Sequence, residues 1–226
     1  RKQGFEPNAE IATNTCCEGQ GTRMYGSLPE YIYSLTPNGG QVNLFEASTL
    51  THQVNGHPLR LHMQTAFPYN NEVSIEVSCD APLDACLEIR VPGWATQALA
   101  VKMNGERVAT GKPGTYIKLQ RVWKAGDKIE FTLPASFRTT QYVGMESGFE
   151  SGHYALEYGP VLMAAVCTKD NTEPFVPCLA KEITSKLRPV SGKPLHFTVA
   201  GCDDIEFMPY YEVEGQAFSN FPAYLF

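Results

Sequence analysis

From Leu59 to Leu133 apolar and polar side chains alternate in short runs, and this period of two limits the fold more than any other feature of the chain. Leu59, Leu61 and Met63 interleave with Arg60, His62 and Gln64. Val73, Ile75, Val77 and Cys79 interleave with Ser74, Glu76 and Ser78, and Leu87, Ile89 and Val91 with Glu88 and Arg90. Ile117 and Leu119 flank Lys118, with Gln120 following, and Ile129, Phe131 and Leu133 enclose Glu130 and Thr132. Successive side chains of a strand point to opposite faces, so each run reads as a strand with one dry and one wet face. Turn residues separate the runs. Asn104-Gly105 lies between Val101-Lys102-Met103 and Glu106-Arg107-Val108, and Ala125-Gly126-Asp127 and Pro134 punctuate later strands. Asn-Gly is a strong hairpin signal because both central residues of that turn need positive φ. Residues 154–158 and 161–166 read as two more strands around Gly159-Pro160, residues 195–199 and 205–208 as short ones, and 170–177 as loop. Short strands at regular spacing predict a mainly β chain, an antiparallel, jelly-roll-like β-sandwich.

Ahead of Gly40 the period differs. Met24, Leu28, Tyr31, Ile32 and Leu35 fall at spacings of three and four and would share one helical face. The spacing predicts a helix over residues 19–35, kinked or restarted at Pro29. Thr36-Pro37-Asn38-Gly39-Gly40 would then end it with turn chemistry.

Size and charge exclude some partners. A chain of 226 residues suits one ordinary domain or two small ones. Its formal net charge is −6 and it has no Lys/Arg cluster, which argues against nucleic acid and against anionic membrane surfaces. No apolar run reaches the roughly 18 residues of a membrane helix. The start, Arg1-Lys2-Gln3-Gly4-Phe5, lacks an initiator Met and a signal-peptide apolar region. The chain therefore reads as a fragment or processed product.

Seven cysteines at irregular spacing do not form a disulfide framework. Cys79 and Cys86 read as small apolar strand residues. Cys16-Cys17 stands apart. Adjacent thiols bridge each other only with strain, but both can reach one soft metal ion, and zinc takes thiolate ligands readily. A helix start just downstream favours thiolate. The pair is therefore a candidate for metal ligation, nucleophilic attack or both, set against a reading as two buried structural cysteines.

Other candidates are less specific. His52, His57 and His62 recur every five residues, so on a strand neighbouring members face opposite ways, and they read as surface or loop histidines. Glu10, Glu18, Glu30, Glu46, Glu146, Glu150 and Glu157 supply carboxylates, but no spacing singles out the pair a glycosidase needs. Glu18 reads as a favourable helix-start charge. Trp94, Trp123, Tyr31, Tyr33, Tyr116 and Tyr158 are candidates for stacking on sugars, with packing at cores and strand ends as the plainer reading; His153 reads as structural.

Cys16-Cys17-Glu18-Gly19-Gln20-Gly21-Thr22-Arg23, followed by Gly26-Ser27-Leu28-Pro29-Glu30-Tyr31-Ile32-Tyr33, resembles the double-cysteine segment of the β-L-arabinofuranosidases of glycoside hydrolase family 127 and relatives. Ile89-Arg90-Val91-Pro92-Gly93-Trp94, Asn104-Gly105-Glu106, Tyr116-Ile117-Lys118-Leu119, Trp123, Gly126-Asp127 and Ala155-Leu156-Glu157-Tyr158-Gly159-Pro160 resemble later motifs of that family, in the same order. The likeness covers roughly residues 14–166. It implies the C-terminal part of an enzyme built as an (α/α)6 barrel followed by β-sandwich domains. Residues 1–36 would be the edge of the barrel with one remnant helix, 37–143 the sandwich, and 144–226 returning strands and a C-terminal β extension.

The resemblance also implies roles. Cys16 would be the nucleophile and a zinc ligand, and Cys17 a second zinc ligand, in a retaining hydrolase of β-L-arabinofuranosides or related plant glycans. The family's other two zinc ligands lie in a Glu-x-Cys motif before the double cysteine, and its acid/base glutamate lies further upstream. Residues 1–15 hold no such motif. The expectation is that zinc belongs to the intact parent, that this chain alone holds none, and that alone it is inactive. Expected partners are the upstream barrel of the same parent, an arabinose-containing glycan and a second copy through the β region. A plant-glycan enzyme would be periplasmic or extracellular, although these residues carry no address. The alternative is a non-catalytic β-sandwich module that packs on a barrel, joins subunits or holds carbohydrate. A third reading is a parent inactivated by substitution upstream.

Overall fold

The structure, a computed structural model, describes residues 16–141, 154–167 and 182–213. Helix α1 (Cys16–Ser27) leads through a 3₁₀ turn (Leu28–Tyr31) into β1 (Tyr33–Thr36) and β2 (Gly39–Val42). Then come β3 (Ser48–Val54), β4 (His57–Thr65), β5 (Glu72–Cys79), β6 (Leu83–Arg90), β7 (Leu99–Met103), β8 (Glu106–Gly111), β9 (Tyr116–Trp123) and β10 (Lys128–Thr132). The chain continues with β11 (Phe137–Gln141), β12 (Tyr154–Tyr158), β13 (Val161–Cys167), a one-turn helix α2 (Ile183–Lys186), β14 (Leu187–Pro189), β15 (Phe197–Val199), β16 (Cys202–Pro209) and a 3₁₀ turn (Tyr210–Glu212). The mainly β reading stands. The described residues fall into two compact units that meet in sequence at Ala135 and Ser136.

The first unit is a two-sheet sandwich. One sheet has the order β1-β2-β6-β9 and the other β3-β4-β5-β10-β7-β8. Inward residues of both sheets, among them Val42, Leu87, Ile89 and Ile117 from one and Leu61, Met63, Ile75 and Ile129 from the other, form a single buried cluster. The period of two is the cause: Val73, Ile75 and Val77 of β5 are buried while Glu72 and Glu76 are exposed. Ladders are antiparallel except β2–β6, which run parallel with Gly39 opposite Cys86. Gly39 is required there, since a Cβ would collide with the Cys86 carbonyl.

The start of this unit corrects the sequence reading. The helix ends at Ser27, and residues 33–36 are a strand paired with β2. Pro29 sits in the first turn of the 3₁₀ segment, where its missing N–H costs nothing, but it cannot continue an α-helix. Pro37-Asn38 is thus the turn of a β1–β2 hairpin. Of the supposed helical face, Ile32 is buried, while Met24, Leu28, Tyr31 and Leu35 are exposed.

The second unit is one antiparallel sheet of order β11-β12-β13-β16-β15-β14. Leu156, Met163, Ala165, Ile205 and Phe207, with Ile183 of α2, build its separate core. Phe137 packs edge-on against Phe197 at 4.9 Å, which closes the core between β11 and β15. The sequence reading anticipated β12, β13, β15 and β16; residues 170–177 lie outside the described residues.

Candidate functional site

Cys16 and Cys17 open α1 on consecutive backbone positions. The side chains of Cys16, Cys17 and Glu18 lie outside the described residues, as do Glu10, Glu146, Glu150 and His153. Downstream of the pair, Met24, Tyr25, Leu28 and Tyr31 are 55, 69, 43 and 60 % exposed, an apolar strip along the helix and the turn after it. Among the described residues no group of three or more His, Cys, Asp or Glu side chains is placed to hold a metal.

Two carboxylates, Glu157 and Glu88, are tied into the sheets. Glu157 lies across the β11–β12 ladder from Arg138 and accepts from its Nε at 3.0 Å and Nη2 at 2.8 Å, and from Thr140 Oγ1 at 2.5 Å. Glu88, on the outer face of β6, accepts from Gln41 Nε2 at 2.5 Å and pairs with Lys118 Nζ at 3.2 Å. The Gln41 hydrogen bond chiefly, with Lys118, holds the Glu88 carboxyl below the usual carboxylate range against the opposing effect of burial. Beside it Tyr116 donates to Asn43 Oδ1 at 2.7 Å, and Asn43 donates to Ser34 at 2.8 Å. Glu30 and Glu46 are exposed.

The histidine triplet is dispersed. His52 Nε2 lies 3.2 Å from the Thr36 carbonyl, His57 Nδ1 lies 3.6 Å from Asp80, and His62 Nδ1 lies 3.0 Å from Thr49 Oγ1. His62 helps line a shallow open cleft with Ser48, Thr49, Met63, Gln64 and Thr65. That lining has hydroxyl, amide and imidazole groups but no carboxylate, so it lacks the acid and nucleophile of a glycosidase.

The aromatic candidates are mostly structural. Trp123 is fully buried and donates Nε1–H to the Ala85 carbonyl at 3.0 Å, which removes it as a sugar platform. Trp94 lies flat against Phe67 at 5.7 Å. Tyr33 Oη is 2.9 Å from Ser48 Oγ, and burial pushes this phenol up more strongly than the hydrogen bond lowers it. The sequence reading missed one buried polar cluster, His196 with Glu206 and Glu212. Its one signal was a histidine set inside the apolar run Leu195-His196-Phe197.

The fold alone therefore defines a mainly β chain whose first unit is a complete sandwich. Residues 40–135 match the family model described as the middle domain of the GH127 β-L-arabinofuranosidases. A GH127 β-L-arabinofuranosidase from Geobacillus stearothermophilus T6 is similar, with 27% identity and a TM-score of 0.59 over 69% of this chain and 24% of that one. A structure described as a glycoside hydrolase aligns at 19% identity with a TM-score of 0.68, over 96% of this chain and 39% of its own. A GH127 β-arabinofuranosidase aligns at 23% identity with a TM-score of 0.56, over 67% and 26% respectively. These last two show likeness of fold. No curated protein matches. Residues 40–135 thus resemble a GH127 middle domain, and the chain spans about a quarter to two-fifths of the solved chains it resembles.

Proposed function

We propose that the parent of this chain is a retaining glycoside hydrolase of β-L-arabinofuranosides or related plant glycans, with Cys16 as nucleophile. The observation that carries this reading is the match of residues 40–135 to the GH127 middle domain. The likeness to the Geobacillus β-L-arabinofuranosidase supports it. The position of the double cysteine at the start of α1 adds support, because unpaired N–H groups there favour a thiolate.

Two sulfurs fit zinc by donor chemistry, since thiolate is a preferred ligand and a closed site needs four. Cys16 and Cys17 would be two of them, and the resemblance places the others in a Glu-x-Cys motif before the pair. Zinc, when bound, holds a thiol ionised near neutral pH. The Cys16 sulfur then attacks the anomeric carbon as the glycosidic C–O bond breaks. The leaving oxygen takes a proton from an acid that the resemblance places upstream. Water next gives its proton to that same upstream group and displaces the sulfur, and the second inversion restores the configuration of the sugar. The exposed strip at Met24, Tyr25, Leu28 and Tyr31 supports contact with the parent's barrel.

The test is L-arabinose release. The intact parent is expected to release it with zinc, and Cys16→Ser to lose several orders of magnitude in kcat. Residues 1–226 alone are expected to release none. Sugar release by the isolated chain would refute the inactive-fragment reading. A parent with no metal and no release would favour the alternative, a non-catalytic packing or carbohydrate-binding module, for which the self-contained sandwich core speaks.

A further inference from the structure

Strand β3 (Ser48–Val54) stands at one end of the β3-β4-β5-β10-β7-β8 sheet and, among the described residues, pairs with β4 alone. The two-residue turn Asn55-Gly56 closes their hairpin, with Val54 opposite His57. That pair must exchange both of its backbone hydrogen bonds, because the other phase of the ladder would have to join the adjacent residues Asn55 and Gly56. Bonded and unbonded pairs alternate along an antiparallel ladder, so Ser48, Leu50, His52 and Val54 turn their N–H and C=O groups toward β4. Thr49, Thr51 and Gln53 turn theirs away from it, to the open edge. Pro58 agrees with this phase, since it stands opposite Gln53, where no N–H is needed toward β3. Thr49, Thr51 and Gln53 also carry the exposed side chains of the strand.

Sheet edges are ordinarily blunted by charge, proline, a bulge or short length. The other edges among the described residues carry such features. β8 has Glu106 and Arg107 and a register shift in its ladder with β7, and β9 has Lys118 and Arg121. β11 has Arg138, β14 has Arg188 and Pro189, and β1 is only 4 residues long. β3 runs for 7 residues with no Asp, Glu, Lys, Arg or Pro. Its open groups are also symmetric about Thr51. When β3 lies antiparallel to a second β3 with Thr51 on the two-fold axis, Thr49 faces Gln53 and Thr51 faces Thr51. Those pairs exchange about six backbone hydrogen bonds, two to a pair. Thr opposite Thr is a favourable cross-strand pair, and no like charges meet. The same register sets the Asn55-Gly56 turn of one copy beside Ala47 of the other, at the rim of the open cleft lined by Ser48, Thr49 and His62.

We infer that β3 is a self-pairing edge, through which two copies of this chain join their sandwiches into one continuous sheet by way of Thr49, Thr51 and Gln53. Strand addition draws its affinity from the backbone and its specificity from side chains. β3 offers no charge with which to select a foreign strand, whereas the spacing of its open groups matches itself, so the occupant is a second copy in an isologous contact. Pairing over one short strand buries little surface, and the association is accordingly weak and concentration-dependent. It stands apart from the hydrolase reading, because neither Cys16 nor Cys17 takes part in it.

The test is made on the full chain. In sedimentation equilibrium from about 10 μM to about 1 mM, its mass should rise toward twice the single-chain value. Over the same range amide exchange at Thr49, Thr51 and Gln53 should slow about tenfold, while Leu50, His52 and Val54, bonded to β4, stay slow throughout. Thr51→Lys sets like charges on the axis, at a position with no backbone bond to β4, and should give a folded monomer; Thr51→Glu should do the same. An equal mixture of these two variants should regain the double mass, which misfolded chains would not do. A single-chain mass at about 1 mM overturns the inference. So does a dimer that Thr51→Lys leaves intact, because another surface would then join the copies. Protection of the Thr51 amide in a monomer overturns it too, since a strand of the same chain would then hold the edge.

Discussion

Asp127 shows how much organisation one buried carboxylate can supply. It is 8% exposed and accepts from Asn104 Nδ2 and from the Lys124 backbone N–H, each at 2.9 Å. Asn104 Oδ1 in turn accepts from the Lys128 N–H at 2.8 Å, so the β7–β8 turn and the β9–β10 turn are cross-linked through these side chains. Burial pushes the Asp127 carboxyl up, but the two hydrogen bonds and the charges of Arg121 and Lys124 outweigh it and hold it below the ordinary value. The Asp127→Ala change leaves donors of Asn104 and Lys124 without this acceptor and should cost about 1–3 kcal/mol in urea unfolding. A folded pKa below the unfolded one means that the stabilisation is complete above about pH 4 and is lost as pH falls through the folded value. The stability difference between parent and variant should therefore shrink on acidification. A gap that stays constant down to pH 2 would contradict this role. Gly39 makes a second test, because its lack of a side chain lets β2 lie beside Cys86 of β6. Gly39→Ala should destabilise by about 1–3 kcal/mol through forced separation of that parallel pair, measured in the same way.

At the scale of elements, strands with apolar residues at alternate positions were legible. β4, β5, β6 and β10 show that pattern, and each places its alternating residues in the core. β3 was not legible, for a physical reason. Its sequence is Ser48-Thr-Leu-Thr-His-Gln-Val54, and only Val54 is buried, so no hydrophobic period marks it. Its turn was visible in principle: Asn55-Gly56 adopts φ of 52° and 81°, as Asn104-Gly105 adopts 50° and 87°. The misread residues 28–36 failed because Leu28, Tyr31 and Leu35 have helical spacing but no core beneath them. Spacing reports a buried face only when there is something to bury it against. The His196 cluster was not legible, because Glu206 and Glu212 approach the ring through strand pairing and a turn that no local pattern encodes.

At the scale of the molecule, the two buried clusters share no residue: one runs from Ile32 to Leu133 and the other from Leu156 to Phe207. A domain that owns its core has the means to fold alone. The sandwich meets further requirements within its own sequence. Val91 N–H donates to Thr115 O, Thr96 N–H to Pro134 O and Leu133 N–H to Asn71 O, so connections between strands are anchored inside the unit. Among the described side chains of the sandwich, Cys79 on β5 and Cys86 on β6 are free thiols. Residues 16–135 expressed alone should therefore fold and unfold cooperatively. Both tryptophans of the chain, Trp94 and Trp123, lie in this segment and report on it directly. Trp123 is enclosed and hydrogen-bonded to Ala85, so a native fragment should show blue-shifted emission and a near-ultraviolet dichroism band that vanish together in one urea transition. A fragment with red-shifted emission and no such band would mean that a core complete in its list of residues still depends on chain outside it.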